Sequence, residues 1–313
     1  MSGDTLVETR GLSRHFGPIQ AVSDLSLTVR NGDVYGFLGL NGAGKTTTLR
    51  MILGLLPPTA GTVSLFGKTK ARERRRLLAR VGAMVESPAF FPSLTGFENL
   101  WHLGRLSGPL EKSRVDHVLD LVGLSHAGHR AAEHYSLGMK QRLGIALALV
   151  SRPELVILDE PTNGLDPNGI LEMRRLVKRL NREEGVTFII SSHLLHEIEM
   201  TCSRVCILDG GRLVIEEDLK SIFETLESSF RLDAAPRQLA LEVVGSFAEA
   251  RILPADEGED APIAFEFPRD HLPRLTAALV ERGVDLFTLT EHRMSLEEFF
   301  LSRAGGRTEG QLT

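Results

Sequence analysis

Two cysteines and one tryptophan are all that these 313 residues carry of either type. Cys202 and Cys206 are separated by three residues, and no second pair completes a zinc site or a disulfide framework. Both read as small core residues of a cytosolic protein. Long apolar runs are missing too. The longest, Ile145 to Val150, falls far short of the roughly 20 residues needed to cross a bilayer. The opening Met1-Ser2-Gly3-Asp4-Thr5 has no basic and then apolar leader. Charge is nearly balanced: 36 Lys and Arg against 41 Asp and Glu leave a net charge of −5, without the basic excess of a nucleic-acid binder. The length suggests about two domains and is ample for a large core.

Glycine is abundant, and its placement is informative. Gly39-Leu40-Asn41-Gly42-Ala43-Gly44-Lys45-Thr46-Thr47 follows the apolar run Val34 to Leu38, which reads as a buried strand. It precedes Thr48 to Leu53, where a helix can begin. Glycines in such a turn let backbone N–H groups converge on an anion, and the helix N-terminus adds its positive dipole end. Lys45 supplies a cation for the outer phosphates, and the Thr46 hydroxyl can ligate Mg²⁺. Strand, glycine loop and helix together predict a nucleoside triphosphate site over Gly39, Asn41, Gly42, Ala43, Gly44, Lys45, Thr46 and Thr47.

Two further strand ends fit that site. Leu155-Val156-Ile157-Leu158 runs into Asp159-Glu160, as a buried parallel strand would, and ligands sit at the C-terminal ends of such strands. Alternation along a strand would turn the adjacent acids to opposite sides. Asp159 is then a metal ligand, and Glu160 orients or deprotonates a water. Thr187 to Ser192 is a second apolar strand that ends in His193, where the phosphates should lie.

Elsewhere the chain alternates over residues 5–35, with Leu25, Leu27 and Val29 on one side. With Asn31-Gly32-Asp33 as a tight turn, this predicts an antiparallel hairpin region. Phe16 is an ordinary strand aromatic by itself. Ala71 to Arg80 is a basic helical stretch, more often a solvated face than a docking site. Glu86 to Leu94 is rich in proline and aromatics, and Phe90 and Phe91 could plug a core or dock a partner. Thr95-Gly96-Phe97-Glu98 is a capping box, and residues 98–132 read as helical with Val115, Val118, Leu119 and Val122 on one face.

Past residue 225 the order β-α-β-β-α-β predicts a ferredoxin-like unit. Its elements cover Phe230–Ala234, Pro236–Phe247, Ala250–Ala255, Pro262–Phe267, Arg269–Gly283 and Val284–Thr290, with an acidic turn at Asp256 to Asp260. Ser295-Leu296-Glu297-Glu298 caps a final helix, and Ala304 to Thr313 is expected to be disordered.

With these motifs assembled, residues 5–225 resemble the ATP-binding subunits of ABC transporters. Gly39 to Thr46 matches the Walker A motif and Leu155 to Asp159 the Walker B motif, with Glu160 at the catalytic carboxylate. Tyr135-Ser136-Leu137-Gly138-Met139-Lys140-Gln141-Arg142 is similar to the signature motif. Asn163-Gly164-Leu165-Asp166 resembles the D-loop, and His193 the switch histidine. The resemblance puts Phe16 against the adenine and adds Ser136, Gly138 and Asp166 to the nucleotide contacts. Two departures stand out. The Q-loop position is Glu86 where a glutamine is usual, which implies a third metal ligand beside Thr46 and Asp159. In the signature, Leu137 and Met139 replace a glycine and the glutamine.

The wording from Glu86 to Leu100 and from Tyr135 to Met139 is most like the bacitracin-type drug and lantibiotic exporters. The implied fold is α/β: a P-loop ATPase domain over 1–225 with a mixed sheet core, an antiparallel β subdomain and a helical subdomain. A small α+β ferredoxin-like domain over 228–303 and the tail 304–313 follow. The implied cofactors are ATP and Mg²⁺. The implied partners are a separate transmembrane permease and a second ATP-binding subunit, in a homo- or heterodimer, with no nucleic acid. The implied place is the cytoplasmic face of the cell membrane, held there through the permease. The competing class is an ABC-type ATPase acting in repair, translation or regulation. Those usually carry a long coiled coil or two ATPase domains, and neither occurs here.

Overall fold

The computed structural model describes residues 5–69, 71–225, 229–253 and 261–292. Contacts divide the chain into two units, Met1–Leu219 and Lys220–Thr313. The acidic turn at 256–260, the capping box at 295–298 and the tail at 304–313 lie outside the described residues.

The first unit opens with β1 (Thr5–Phe16) and β2 (Ile19–Arg30), which pair antiparallel from Phe16↔Ile19 to Thr5↔Arg30. The hairpin turn is therefore Gly17-Pro18. The expected turn at Asn31-Gly32-Asp33 has a different role. The Asp33 carboxylate accepts from the Arg30 N–H at 2.8 Å, and the chain passes there from one sheet to another. That second sheet begins with β3 (Val34–Leu38), and α1 (Lys45–Leu53) follows. β4 (Ala60–Leu65) returns to β1 and closes a three-stranded sheet in the order β2-β1-β4.

Then come α2 (Ala71–Leu78), β5 (Val81–Met84), α3 (Gly96–Gly104), α4 (Lys112–Leu121), α5 (Leu137–Leu149) and β6 (Leu155–Asp159). The unit finishes with α6 (Pro167–Glu184), β7 (Thr187–Ser192), α7 (Leu195–Thr201), β8 (Arg204–Asp209) and β9 (Arg212–Asp218). The large sheet has the order β5-β6-β7-β3-β8-β9, parallel except for β9. Its two faces divide by strand alternation. Val156, Leu158, Phe188 and Ile190 pack with residues of α4, α5 and α6, whereas Leu155, Ile157 and Ile189 pack with α1 and the hairpin strands. Continuous apolar runs are what a strand buried on both faces requires.

The stretch expected to be helical over 98–132 is broken. α3 stops at Gly104, α4 spans Lys112–Leu121, and short 3₁₀ turns stand at Arg105–Ser107 and Ser125–Ala127. Thr95 caps α3 as expected. Its hydroxyl accepts from the Glu98 N–H at 3.1 Å, and the Glu98 carboxylate accepts from the Thr95 N–H at 2.8 Å. The aromatic pair divides: Phe90 packs against the core and Phe91 is 54% exposed. Burial pushes the thiols of Cys202 and Cys206 up, away from thiolate chemistry. Among the described residues no helix is long and apolar enough to cross a membrane.

α8 (Leu219–Thr225) links to β10 (Ser229–Ala235), α9 (Arg237–Gly245), β11 (Arg251–Ile252), β12 (Ile263–Glu266), α10 (Leu272–Glu281) and β13 (Asp285–His292). The strand order β11-β12-β10-β13 is fully antiparallel, as in a ferredoxin-like sheet. Phe230, Phe265, Phe267, Leu275 and Leu279 form its own core.

Candidate active site

The loop between β3 and α1 is held by two close approaches. Gly44 has φ 96°, and a Cβ there would lie 2.5 Å from the Ala21 carbonyl oxygen. At Gly39 a Cβ would come within 2.6 Å of the Leu208 carbonyl oxygen. Glycine is required at both. α1 then starts without a side-chain cap, so the N–H groups of its first turn have no partner inside the helix and face an anion-binding position. Lys45 is 5% exposed; its Nζ donates to the carbonyl of Gly39 at 2.5 Å and of Leu40 at 3.4 Å. The same Nζ lies 3.1 Å from Glu160 Oε1, an ion-pair distance without hydrogen-bond alignment.

β6 delivers the acids beside this loop. Thr46 Oγ1 donates to Asp159 Oδ2 at 2.8 Å. Ser191, opposite Asp159 in the β6–β7 register, donates to Oδ1 at 2.5 Å and accepts from the Glu160 N–H at 2.9 Å. Strand alternation does not separate the two acids as expected. β6 ends at Asp159, and Glu160 turns away with φ 48°. His193 Nδ1 lies 2.9 Å from Glu160 Oε2. Lys45, Thr46, Asp159, Glu160 and His193 thus converge. Among the described residues no cluster of three or more acid, histidine or cysteine side chains could hold a metal alone. A hydroxyl and a carboxylate in contact fit Mg²⁺, which keeps waters and takes further oxygens from a phosphate.

The remaining candidates stand on other elements, and their contacts among the described residues are with neighbouring segments and not with this cluster. Phe16 ends β1, is 44% exposed, and has the Arg14 guanidinium carbon 4.7 Å from its ring centroid. Ser136 caps α5 by accepting from the Met139 N–H at 3.3 Å. Asp166 caps α6 by accepting from the Gly169 N–H at 3.0 Å. The two segments are neighbours: a Cβ on Gly138 would meet Leu165 at 3.8 Å, and one on Gly164 would meet Leu137 at 3.1 Å. Glu86 is not hydrogen-bonded to Thr46 or Asp159; it is ion-paired with Arg50 of α1.

Three residues that motif reading passed over belong here. Ser191 orients Asp159; a hydroxyl pair closing an otherwise apolar strand is the signal that points to it. Glu197 accepts a hydrogen bond from Thr162, beyond the acidic strand end, and lies 3.5 Å from the Ser192 hydroxyl. Arg50 has no local signal.

A family model described as "ABC transporter" matches residues 22–163. The bacitracin transport ATP-binding protein BcrA of Bacillus licheniformis is 40% identical over 98% of this chain and 99% of its own length. The lantibiotic transport ATP-binding protein SrtF of Streptococcus pyogenes is 34% identical over 72% of this chain and 96% of its own length. A dimeric post-hydrolysis structure of the ATP-binding cassette MJ0796 bound to ADP and Pi has a TM-score of 0.61. It is 25% identical, over 68% of this chain and 99% of that one.

Proposed function

The chain belongs to the ABC transporter family as one of its ATP-binding subunits, with that family's ATPase fold, and from this we propose how its residues bind and cleave ATP. The observation that carries the proposal is the convergence of Lys45, Thr46, Asp159, Glu160 and His193 beside an uncapped helix start.

The N–H groups from Asn41 to Thr47 hold the β- and γ-phosphates, with the α1 dipole behind them. Lys45 exchanges its loop carbonyls and Glu160 for phosphate oxygens. That exchange leaves the Glu160 carboxylate free to take a proton from a water aimed at the γ-phosphorus. His193 fixes the Glu160 carboxylate from its other oxygen. Thr46 and Asp159 would hold Mg²⁺, which would supply charge screening for the phosphates. Phe16 supplies a stacking face for the adenine.

Ser136, Gly138 and Asp166 act across a dimer, where a serine hydroxyl at a helix start from one subunit covers the phosphates held by the other. Two of these subunits closing on ATP and opening after cleavage provide the mechanical step. A separate transmembrane permease receives it at the cytoplasmic face, with the segment 86–100 and its exposed Phe91 as the docking surface. By similarity to the bacitracin and lantibiotic relatives, the cargo is a peptide antibiotic or other drug, and the direction is export.

Phosphate release by the purified full-length chain, with Mg²⁺ and with a chelator, tests the enzymatic part. Mg²⁺-dependent release is expected; none under either condition would contradict it. Deleting the gene should sensitise cells to peptide antibiotics, and unchanged susceptibility across a panel would remove the cargo assignment.

A further inference from the structure

Glu86 follows the end of β5, next to the strand that carries Asp159, and the catalytic proposal leaves it unused. The last β5–β6 pair is Met84↔Leu158, and Glu86 and Glu160 each come two residues beyond it. Adjacent strands are only about 4.8 Å apart. Both residues turn out of the sheet with left-handed backbone, φ 66° and 48°. A non-glycine residue holds that conformation only where its surroundings fix it. Glu86 on one strand and Asp159 and Glu160 on the next thus place carboxylates at the ends of two paired strands, on the side where the polyphosphate is proposed to bind.

α1 supplies their partners. Lys45 lies beside Glu160, Thr46 donates to Asp159, and Arg50 is ion-paired with Glu86. Arg50 stands four residues beyond Thr46, on the same helix face. The Glu86 and Arg50 side chains are 63% and 41% exposed, so the pair adds little to folding stability. An unpaired carboxylate beyond the end of the strand next to β6 would nevertheless add negative potential on the side where the phosphates are proposed to bind.

We infer that Arg50 is a positioning residue that neutralises and tethers Glu86, so that a carboxylate at this strand end does not oppose nucleotide binding. The inference rests on the ATP-binding reading above. It separates Arg50 from the phosphate ligands: its effect on the nucleotide runs through Glu86 and vanishes once position 86 is uncharged.

A double-mutant cycle on the full-length chain tests it, with a fluorescent ATP analogue titrated in the presence of Mg²⁺ and a thermal melt on every variant. Arg50→Met in the parental chain should weaken affinity about tenfold. In the Glu86→Gln background the same substitution should cost less than about twofold. Arg50→Lys, which keeps the charge, should stay near the parental affinity, and melting midpoints should barely move. An equal loss in both backgrounds, or no loss in the parental chain, would overturn the inference. So would a lowered midpoint for Arg50→Met that Glu86→Gln does not correct, because that would make the pair structural. A parental chain that binds no ATP would instead contradict the functional reading and remove the inference with it.

Discussion

The Ser191 hydroxyl donates to Asp159 Oδ1 at 2.5 Å while accepting from the Glu160 N–H, so one serine fixes two consecutive acids. Outer partners of this kind typically contribute 10–100-fold to metal affinity. Ser191→Ala should therefore raise the Mg²⁺ concentration needed for half-maximal ATPase activity by about tenfold. ATP binding without metal should change little. A Mg²⁺ titration that overlays the parental curve would show that Asp159 needs no such support.

Lys45→Ala should act on binding itself. Lys45 is nearly buried and its donors point into the loop that is to hold the phosphates. Losing a charge-assisted contact costs about 1.5–3 kcal/mol, or roughly 10–100-fold in affinity. Calorimetric titration with ATP measures this directly. Retention of the parental Kd would remove Lys45 from the phosphate site.

Gly82 makes a prediction about the frame that carries the site. A Cβ there would lie 2.0 Å from the Ala148 carbonyl oxygen, where β5 presses on α5. Gly82→Ala must push strand and helix apart, and overpacking of this kind costs about 1–3 kcal/mol. For a unit of this size the Tm should fall by roughly 2–10 °C. An unchanged melt would mean that the close approach is not required.

The C-terminal unit has its own apolar core and no residue in the proposed catalytic cluster. A chain ending at Thr225 should bind ATP with the parental affinity in a titration against labelled ATP. A truncated chain that folds but does not bind ATP would show that the second unit supplies part of the site.

The legible parts were those where chemistry constrains neighbouring residues. Gly39 to Thr47, Asp159-Glu160 and His193 each sit within a local pattern of apolar strand and polar end, and the structure brings them together. The β-α-β-β-α-β order of the second unit was readable for the same reason, because each apolar alternation is local. Strand order was not, since β3 is inserted between β7 and β8 by crossovers that leave no mark on β3 itself. Asn31-Gly32-Asp33 is a good turn in any context, and only strand pairing identifies Gly17-Pro18 as the hairpin turn. The Arg50–Glu86 pair joins residues 36 positions apart, a separation at which motif reading sees nothing.

Glu160→Gln tests the central claim most directly. Glu160 lies between Lys45 and His193 at the end of β6, and glutamine keeps its shape while removing its basicity. Single-turnover ATP cleavage should fall by roughly 10²–10⁴-fold, as for loss of a general base, while ATP affinity stays near parental and an ATP-bound dimer accumulates. Cleavage at close to the parental rate by the Glu160→Gln protein would contradict the assignment of Glu160 as the base.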